Sequence, residues 1–307
     1  MLQNSLQNSE SAAAAPVRCS VTHRLALKGL GRTYRFMHVT DVHIATAYPD
    51  EPERMQKEAE LRGGHYFPPF EGFTAGTRFP FFFREAENSG MDGILLTGDI
   101  CDFPSRSNLD ILKSGLENSG VPAVYCMGNH DWTFLENYQS DSHKDEFIPE
   151  YYGMVNHRSD AAGKISSGLL PGSVFWKLAD FGEFLVFAFD NGRNRVLPET
   201  VEAFKDVLAA GRPVILSCHV PFYSPTLREP TVDYWHSDIL LGGTEVHADG
   251  PTQEFIDLMK APDSPVRAVV AGHIHFDHED MLNENIVQFT TTEGHRGGYG
   301  MIELDPA

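Results

Sequence analysis

Tyr34-Arg35-Phe36-Met37-His38-Val39 runs straight into Thr40-Asp41-Val42-His43, a short apolar strand that delivers a carboxylate and an imidazole at its carboxyl end. The arrangement recurs along the chain. Ile94-Leu95-Leu96 leads to Gly98-Asp99-Ile100-Cys101-Asp102, and Ala123-Val124-Tyr125-Cys126-Met127 to Gly128-Asn129-His130-Asp131. Val214-Ile215-Leu216 leads to Ser217-Cys218-His219, and Ala268-Val269-Val270 to Gly272-His273-Ile274-His275. The strand ends thus collect Asp41, His43, Asp99, Asn129, His219, His273 and His275. Carboxylate, carboxamide and imidazole are the hard-to-borderline donors that hold a pair of divalent ions. A metal centre assembled at several strand ends is a catalytic arrangement. Asp41 and His43, like His273 and His275, are two residues apart, so an extended backbone would put each pair on one face.

Outward from these strands, Pro80 to Ser89 reads as a helix with Pro in its first turn and Gly90 closing it. Asn108 to Glu117, Pro198 to Ala210 (stopped by Gly211) and Thr252 to Lys260 read as further helices. Phe79, Phe81, Phe82 and Phe83 fit the core face of the first. Val21–Leu27 and Thr33–Thr40 flank a turn at Lys28–Arg32. Ser173–Leu178 and Glu183–Phe189 form a hairpin-like pair across Asp180–Gly182, and Ile286–Phe289 and Tyr299–Leu304 are short closing strands. Alternating strands and helices with antiparallel pieces at each end predict an α/β layered fold, with sites at the carboxyl ends of strands. With no Pro/Gly/Ser linker and no repeat, residues 21–307 read as a single domain behind a flexible tail at 1–20 rich in Gln, Asn, Ser and Ala. Two insertions interrupt it. The first, about 45–78, carries Gly63-Gly64-His65-Tyr66-Phe67-Pro68-Pro69-Phe70; the second, about 132–172, is polar and contains Tyr151-Tyr152. Long aperiodic segments near a site serve as lids, binding loops or oligomer contacts.

The bulk numbers narrow the function. A chain of 307 residues, 41% hydrophobic and 22% charged, buries a substantial core. Its apolar stretches fall short of the roughly 20 residues that cross a bilayer. Met1 to Pro16 has neither a basic nor an apolar leader region, which makes a cytoplasmic location the expectation. Cys19, Cys101, Cys126 and Cys218 have no CxxC spacing and read as reduced structural residues. A formal charge of −19 lacks the footprint of a protein that grips a long phosphate backbone, so long nucleic acid is disfavoured. Bound dications would locally reverse that sign and admit a small phosphorylated substrate.

The ordered set D-x-H, GD, GNH followed by an acid, H and GHxH, from Asp41 to His275, resembles the calcineurin-like metallophosphoesterase superfamily. The resemblance implies an α/β/β/α sandwich of two stacked mixed sheets flanked by helices, with the metal site at strand carboxyl ends. It implies two divalent ions (Mn, Fe or Zn), one held by Asp41, His43, Asp99 and His275, the other by the shared Asp99 with Asn129, His219 and His273. A bridging carboxylate sets such ions roughly 3.5–4 Å apart. It implies hydrolysis of a phosphate ester by a metal-bridging hydroxide, with His130 as general acid. Asp102 and Asp131 are both candidates to orient that imidazole. The position of Asp102 is a Tyr ligand in purple acid phosphatases, and the GDxVDRG signature of protein phosphatases is absent, so the pieces look more like the phosphodiesterase and general phosphoesterase branches. Arg106, Arg228 and Arg296 are candidate phosphate contacts, and Phe222 and Tyr223 candidate stacking partners. The other histidines, His38, His65, His143, His157, His236, His247, His278 and His295, read as ordinary core or surface residues. The expected activity is on a small phosphodiester or a phosphomonoester; the rivals are a nuclease of the same superfamily and a non-catalytic protein-binding scaffold.

Overall fold

The computed structural model describes residues 15–135, 144, 146–147 and 173–307. Its strands are β1 (Arg18–Leu27), β2 (Tyr34–Val39), β3 (Gly93–Thr97), β4 (Ala123–Cys126), β5 (Trp176–Asp180) and β6 (Leu185–Phe189). They continue with β7 (Val214–Ser217), β8 (Val266–Ala271), β9 (His278–Asn283), β10 (Ile286–Thr290) and β11 (Gly298–Pro306). The helices are α1 (Glu53–Leu61), α2 (Ala75–Asn88), α3 (Arg106–Glu117), α4 (Pro198–Ala209), α5 (Pro225–Trp235) and α6 (Gly250–Lys260). One sheet runs β1-β11-β2-β3-β4 and the other β5-β6-β7-β8-β10-β9.

Both sheets are mixed. β2, β3 and β4 are parallel, as are β6, β7, β8 and β10, while β11 lies antiparallel to β2, β5 to β6 and β9 to β10. Side chains alternate between two apolar layers, as the pleat requires. Phe36, Leu95, Val124 and Cys126 of the first sheet meet Val186, Ala188, Ile215, Val270 and Phe289 of the second. On the far side Met37, Val39, Ile94, Leu96 and Tyr125 pack against Phe79, Phe82 and Phe83 of α2 and Leu112 and Leu116 of α3. Leu185, Phe187, Leu216 and Val269 likewise take Val201, Phe204 and Val207 of α4 and Phe255 and Met259 of α6. The result is the α/β/β/α sandwich.

Several elements depart from the sequence reading. β1 and β2 are not partners: β11 inserts between them, parallel to β1 and antiparallel to β2. β1 also takes in residues 18–20 of the expected tail; residues 1–14 lie outside the described residues, as does most of the second insertion, including Tyr151-Tyr152. α2 starts at Ala75, so Pro80 is interior to the helix instead of in its first turn. The cause is a capping box: Thr74 Oγ1 accepts from Thr77 N at 3.2 Å, and Thr77 Oγ1 accepts from Thr74 N at 3.0 Å. The first insertion is largely helical, with α1 followed by one π-helical turn at Arg62–Tyr66. The hairpin of β5 and β6 and the stop of α4 at Gly211 stand as expected.

Candidate metal centre

The strand ends converge where the two sheets meet. Loops after β2, β3 and β4 bring Asp41 and His43, Asp99 and Asp102, and Asn129 and His130 from one sheet; loops after β7 and β8 bring His219, His273 and His275 from the other. The strand ladder continues into the loops, with Asp41 N donating to Gly98 O at 3.1 Å and His43 N to Asp99 O at 2.9 Å. Extended alternation does not explain how the pairs converge. Asp41, His43, Asp99, His273 and His275 all have φ between 51° and 72°, in the left-handed region, so the backbone kinks at each. Non-glycine residues there cost of order 1–3 kcal/mol each and persist only where surroundings over-determine them. Glycines make room for the crossing loops: a Cβ on Gly272 would stand 1.8 Å from Thr40 Oγ1.

All seven expected donors gather in one cluster. Donor atoms of Asp41, His43 and His275 lie within 4.8 Å of one another, and so do those of Asp99, His219 and His273. His275 Nε2 is 3.1 Å from Asp41 Oδ1, and His219 Nε2 is 3.1 Å from Asp99 Oδ2 and 3.0 Å from Asn129 Oδ1. His219 Nδ1 donates to Thr97 O at 2.8 Å, leaving Nε2 for the cluster. Two adjoining groups, each a carboxylate with two imidazoles, suit a pair of borderline dications. Burial disfavours the charge on Asp41, but His275 and its neighbours hold that carboxyl well below its usual range. Burial likewise opposes a proton on His219, yet Asp99 raises it to about 10, while His273 is pushed down to about 3 by burial and His219. A dication bound there would take the place of such protons, because a ligating imidazole is neutral.

His43, Asp102 and His130 form a third group. Asp102 Oδ1 is 2.9 Å from His43 Nδ1 and 2.6 Å from His130 Nδ1, so one buried oxygen orients both rings. Burial works against charge on His130, and the Asp99 and Asp102 carboxylates overcome it and raise its pKa. The Asp131 carboxylate has a different set of partners: it accepts from the backbone N–H of Asp99 and Cys101 at 2.8 Å and of Gly128 at 2.7 Å. It therefore staples the loops after β3 and β4 together. Burial and the charge on Asp99 push it up to about 7.

The cluster floors a cleft of about 650 Å³. Tyr66, Phe67, Leu135, Tyr234, Trp235 and Ile239 line it together with Glu293, His295 and Arg296. Of the arginines expected to hold phosphate, Arg296 lines this cleft and pairs with Glu293 at 3.4 Å, while Arg106 pairs with Asp50 and Arg228 with Asp238 at 3.4 Å. Phe222 is not a stacking partner: it is buried against Phe255 in the outer core of the second sheet. Tyr223 packs beside Leu227 and Ile274. The sequence reading missed Arg62, whose buried guanidinium reaches Asp102 and His130, and Asn191, whose Oδ1 accepts from His219 N at 3.0 Å. It also missed the Phe67 ring stacked on His43 with centroids 3.9 Å apart. The four cysteines are unpaired; Cys101, Cys126 and Cys218 are buried.

Two stacked mixed sheets carry a cluster of histidines and carboxylates, the donors of divalent metal ions, at their strand ends. The model of the calcineurin-like phosphoesterase family matches residues 34–277. The chain belongs to that family: it is a binuclear metallophosphoesterase that hydrolyses phosphate esters with two divalent metal ions. Similar solved structures include a dimetal phosphatase from Danio rerio (12% identity, 85% of this chain and 88% of that one, TM-score 0.47). A phosphopantetheinyl hydrolase from Mycobacterium tuberculosis (10%, 87% and 92%, TM-score 0.42) is another. A third is a 5'-nucleotidase from Candida albicans (17%, 89% and 48%, TM-score 0.38). No curated protein matches the chain significantly. No described helix is long and apolar enough to cross a membrane.

Proposed function

We propose that the chain hydrolyses a small phosphodiester or phosphomonoester at this cleft, working as one domain with two insertions. Asp41, His43, Asp99 and His275 would hold one ion (Mn, Fe or Zn), and Asp99, Asn129, His219 and His273 the other. Bound there, the ions supply Lewis acidity and an activated water. The carrying observation is that His130, its Nδ1 2.6 Å from Asp102 Oδ1, lines the same cleft as His43, Asp99, His273 and His275. A carboxylate-held imidazole is oriented to give its Nε2 proton to the departing ester oxygen. Arg296, which lines the cleft and pairs with Glu293, is the arginine that would hold a second anionic group. The substrate's organic part rests on the walls: among the described residues, Tyr66, Leu135, Tyr234 and Trp235 account for four of the seven exposed large hydrophobic side chains. The cleft volume and the charge of −19 both favour a small substrate over long nucleic acid.

The test is turnover of bis-p-nitrophenyl phosphate against p-nitrophenyl phosphate by Mn-loaded protein, with a chelated control. Metal-dependent turnover supports the reading, and the favoured ester separates diesterase from monoesterase. Turnover that survives chelation, or none with two ions bound, overturns it.

A further inference from the structure

The first insertion sends one charged side chain into the interior behind His130. Arg62 stands at the start of the π-helical turn after α1 and is almost completely buried. Phe67 N closes the turn by donating to Arg62 O at 2.7 Å. Single π turns interrupting helices recur at functional sites because they redirect one side chain. Gly63 lets the turn dock closely, since a Cβ there would stand 2.7 Å from Ala45 O in the loop after β2.

The guanidinium has its donors committed on several sides. Nε donates to Glu58 Oε2 at 2.7 Å, one helical turn earlier, and Nη2 to Thr133 O at 3.4 Å. Nη1 donates to the main-chain O of Asp102, lies 3.2 Å from Asp102 Oδ2, and lies 3.1 Å from His130 Nδ1. Glu58 is itself fixed, its Oε1 accepting from Leu135 N at 3.0 Å. Arg62 thus holds the main-chain oxygen of Asp102 by a hydrogen bond and faces its Oδ2 as an ion pair 3.2 Å away, while Oδ1 orients His43 and His130. A buried guanidinium costs several kcal/mol of desolvation and is a poor source of stability on its own. Its planar fork is suited to fixing the direction of a carboxylate.

Resting on the hydrolase reading above, we propose that Arg62 is a positioning residue. With Glu58 as its counter-charge it locks Asp102, and through Asp102 sets the direction in which His130 presents Nε2 to the leaving oxygen. The first insertion is on this view part of the catalytic apparatus.

The test uses Mn-loaded full-length chain and two diesters that differ in leaving group, bis-p-nitrophenyl phosphate and diphenyl phosphate. p-Nitrophenolate departs with little need of a proton; phenolate depends on one more. Arg62→Lys and Glu58→Gln should lose about threefold on the first ester and about thirtyfold or more on the second, within the range of general-acid effects. Combined with His130→Ala, neither should add any leaving-group selectivity. Arg62→Met strands two buried carboxylates, so folding and metal content are checked for every variant, and Glu58→Gln carries the test if it unfolds. Equal losses on both esters in folded variants, or the same selectivity in the His130→Ala background, overturn the positioning role and leave the hydrolase reading intact. Wild-type protein inactive on both esters with two ions bound sinks both.

Discussion

Gly128→Ala isolates how tightly the centre is packed. Gly128 does not occupy the left-handed region, so alanine's backbone preferences raise no obstacle; the difficulty is space. An added Cβ would stand 2.2 Å from Asp99 Oδ1 and 2.6 Å from Asp99 N, where ordinary contact begins at 3.4 Å. Asp99 or the loop after β4 must therefore give way by more than 1 Å. Neither moves freely, because Asp99 Oδ1 accepts from His130 N at 2.8 Å and Gly128 N is bonded to Asp131. Overpacking of this kind costs about 1–3 kcal/mol of stability. The functional loss should be larger, because a displacement of about 1 Å in a catalytic constellation costs on the order of 10²-fold. The assays are metal stoichiometry by elemental analysis, kcat/KM on bis-p-nitrophenyl phosphate, and urea unfolding. Gly128→Ala with two ions bound at wild-type affinity and kcat/KM within about threefold of wild type would refute the reasoning.

Asp131→Ala removes the acceptor of three buried backbone N–H groups. It should destabilise the protein by about 3 kcal/mol in urea unfolding, with metal affinity falling and the ranking of esters unchanged; a shift in leaving-group preference would instead make it an orienter of His130. His38 lies fully buried in β2, its Nε2 2.8 Å from Thr97 Oγ1, and burial, assisted by His23, pushes it from 6.5 down to about 3. The unfolded chain takes up a proton below pH 6.5 that the folded chain refuses, so stability is complete above that pH and falls as pH drops toward 3. At pH 5 the loss is about 2 kcal/mol. The stability difference between wild type and His38→Gln should narrow by that amount between pH 8 and pH 5, and a constant difference would show that His38 does not carry the effect.

The legible part of this chain was local. Each strand that feeds the site is a short apolar run buried on both faces, as Ile94-Leu95-Leu96 shows, and its motif follows within a few residues. Neighbouring sequence therefore announced both the strand and its donor. What escaped depends on partners far along the chain. β11 reaches back to lie beside β1, with Arg18 opposite Gly298, and no local pattern encodes that neighbour. β9, His278–Asn283, is an edge strand with little burial, so its polar residues give no strand signal. α5 carries Pro230 in its interior and mixes polar and apolar residues without a clean stripe, so it did not read as a helix. Arg62 gave only a weak sign, the Gly63-Gly64 pair beside it, because an arginine in a loop-like segment is ordinarily a solvated charge.

The geometry of the donors depends on the packing of the sheets as much as on the motifs. The group of Asp41, His43 and His275 takes two members from the first sheet and one from the second; the group of Asp99, His219 and His273 takes one and two. Neither group forms within one sheet. The distances between donors are set by how Phe36, Leu95 and Val124 meet Val186, Ile215 and Val270 in the layer between the sheets. The kinked backbone at five of these residues is unfavourable in isolation and is held from both sides. Gly98 and Asp99 accept from the amides of Asp41 and His43, and His219 O accepts from Gly272 N. Asp41 Oδ2 accepts from His273 N at 2.9 Å, a bond that crosses from one sheet's loops to the other's. A change in the core between the sheets, far from any donor, therefore acts on both groups at once. A change in a single loop acts first on the group that loop serves.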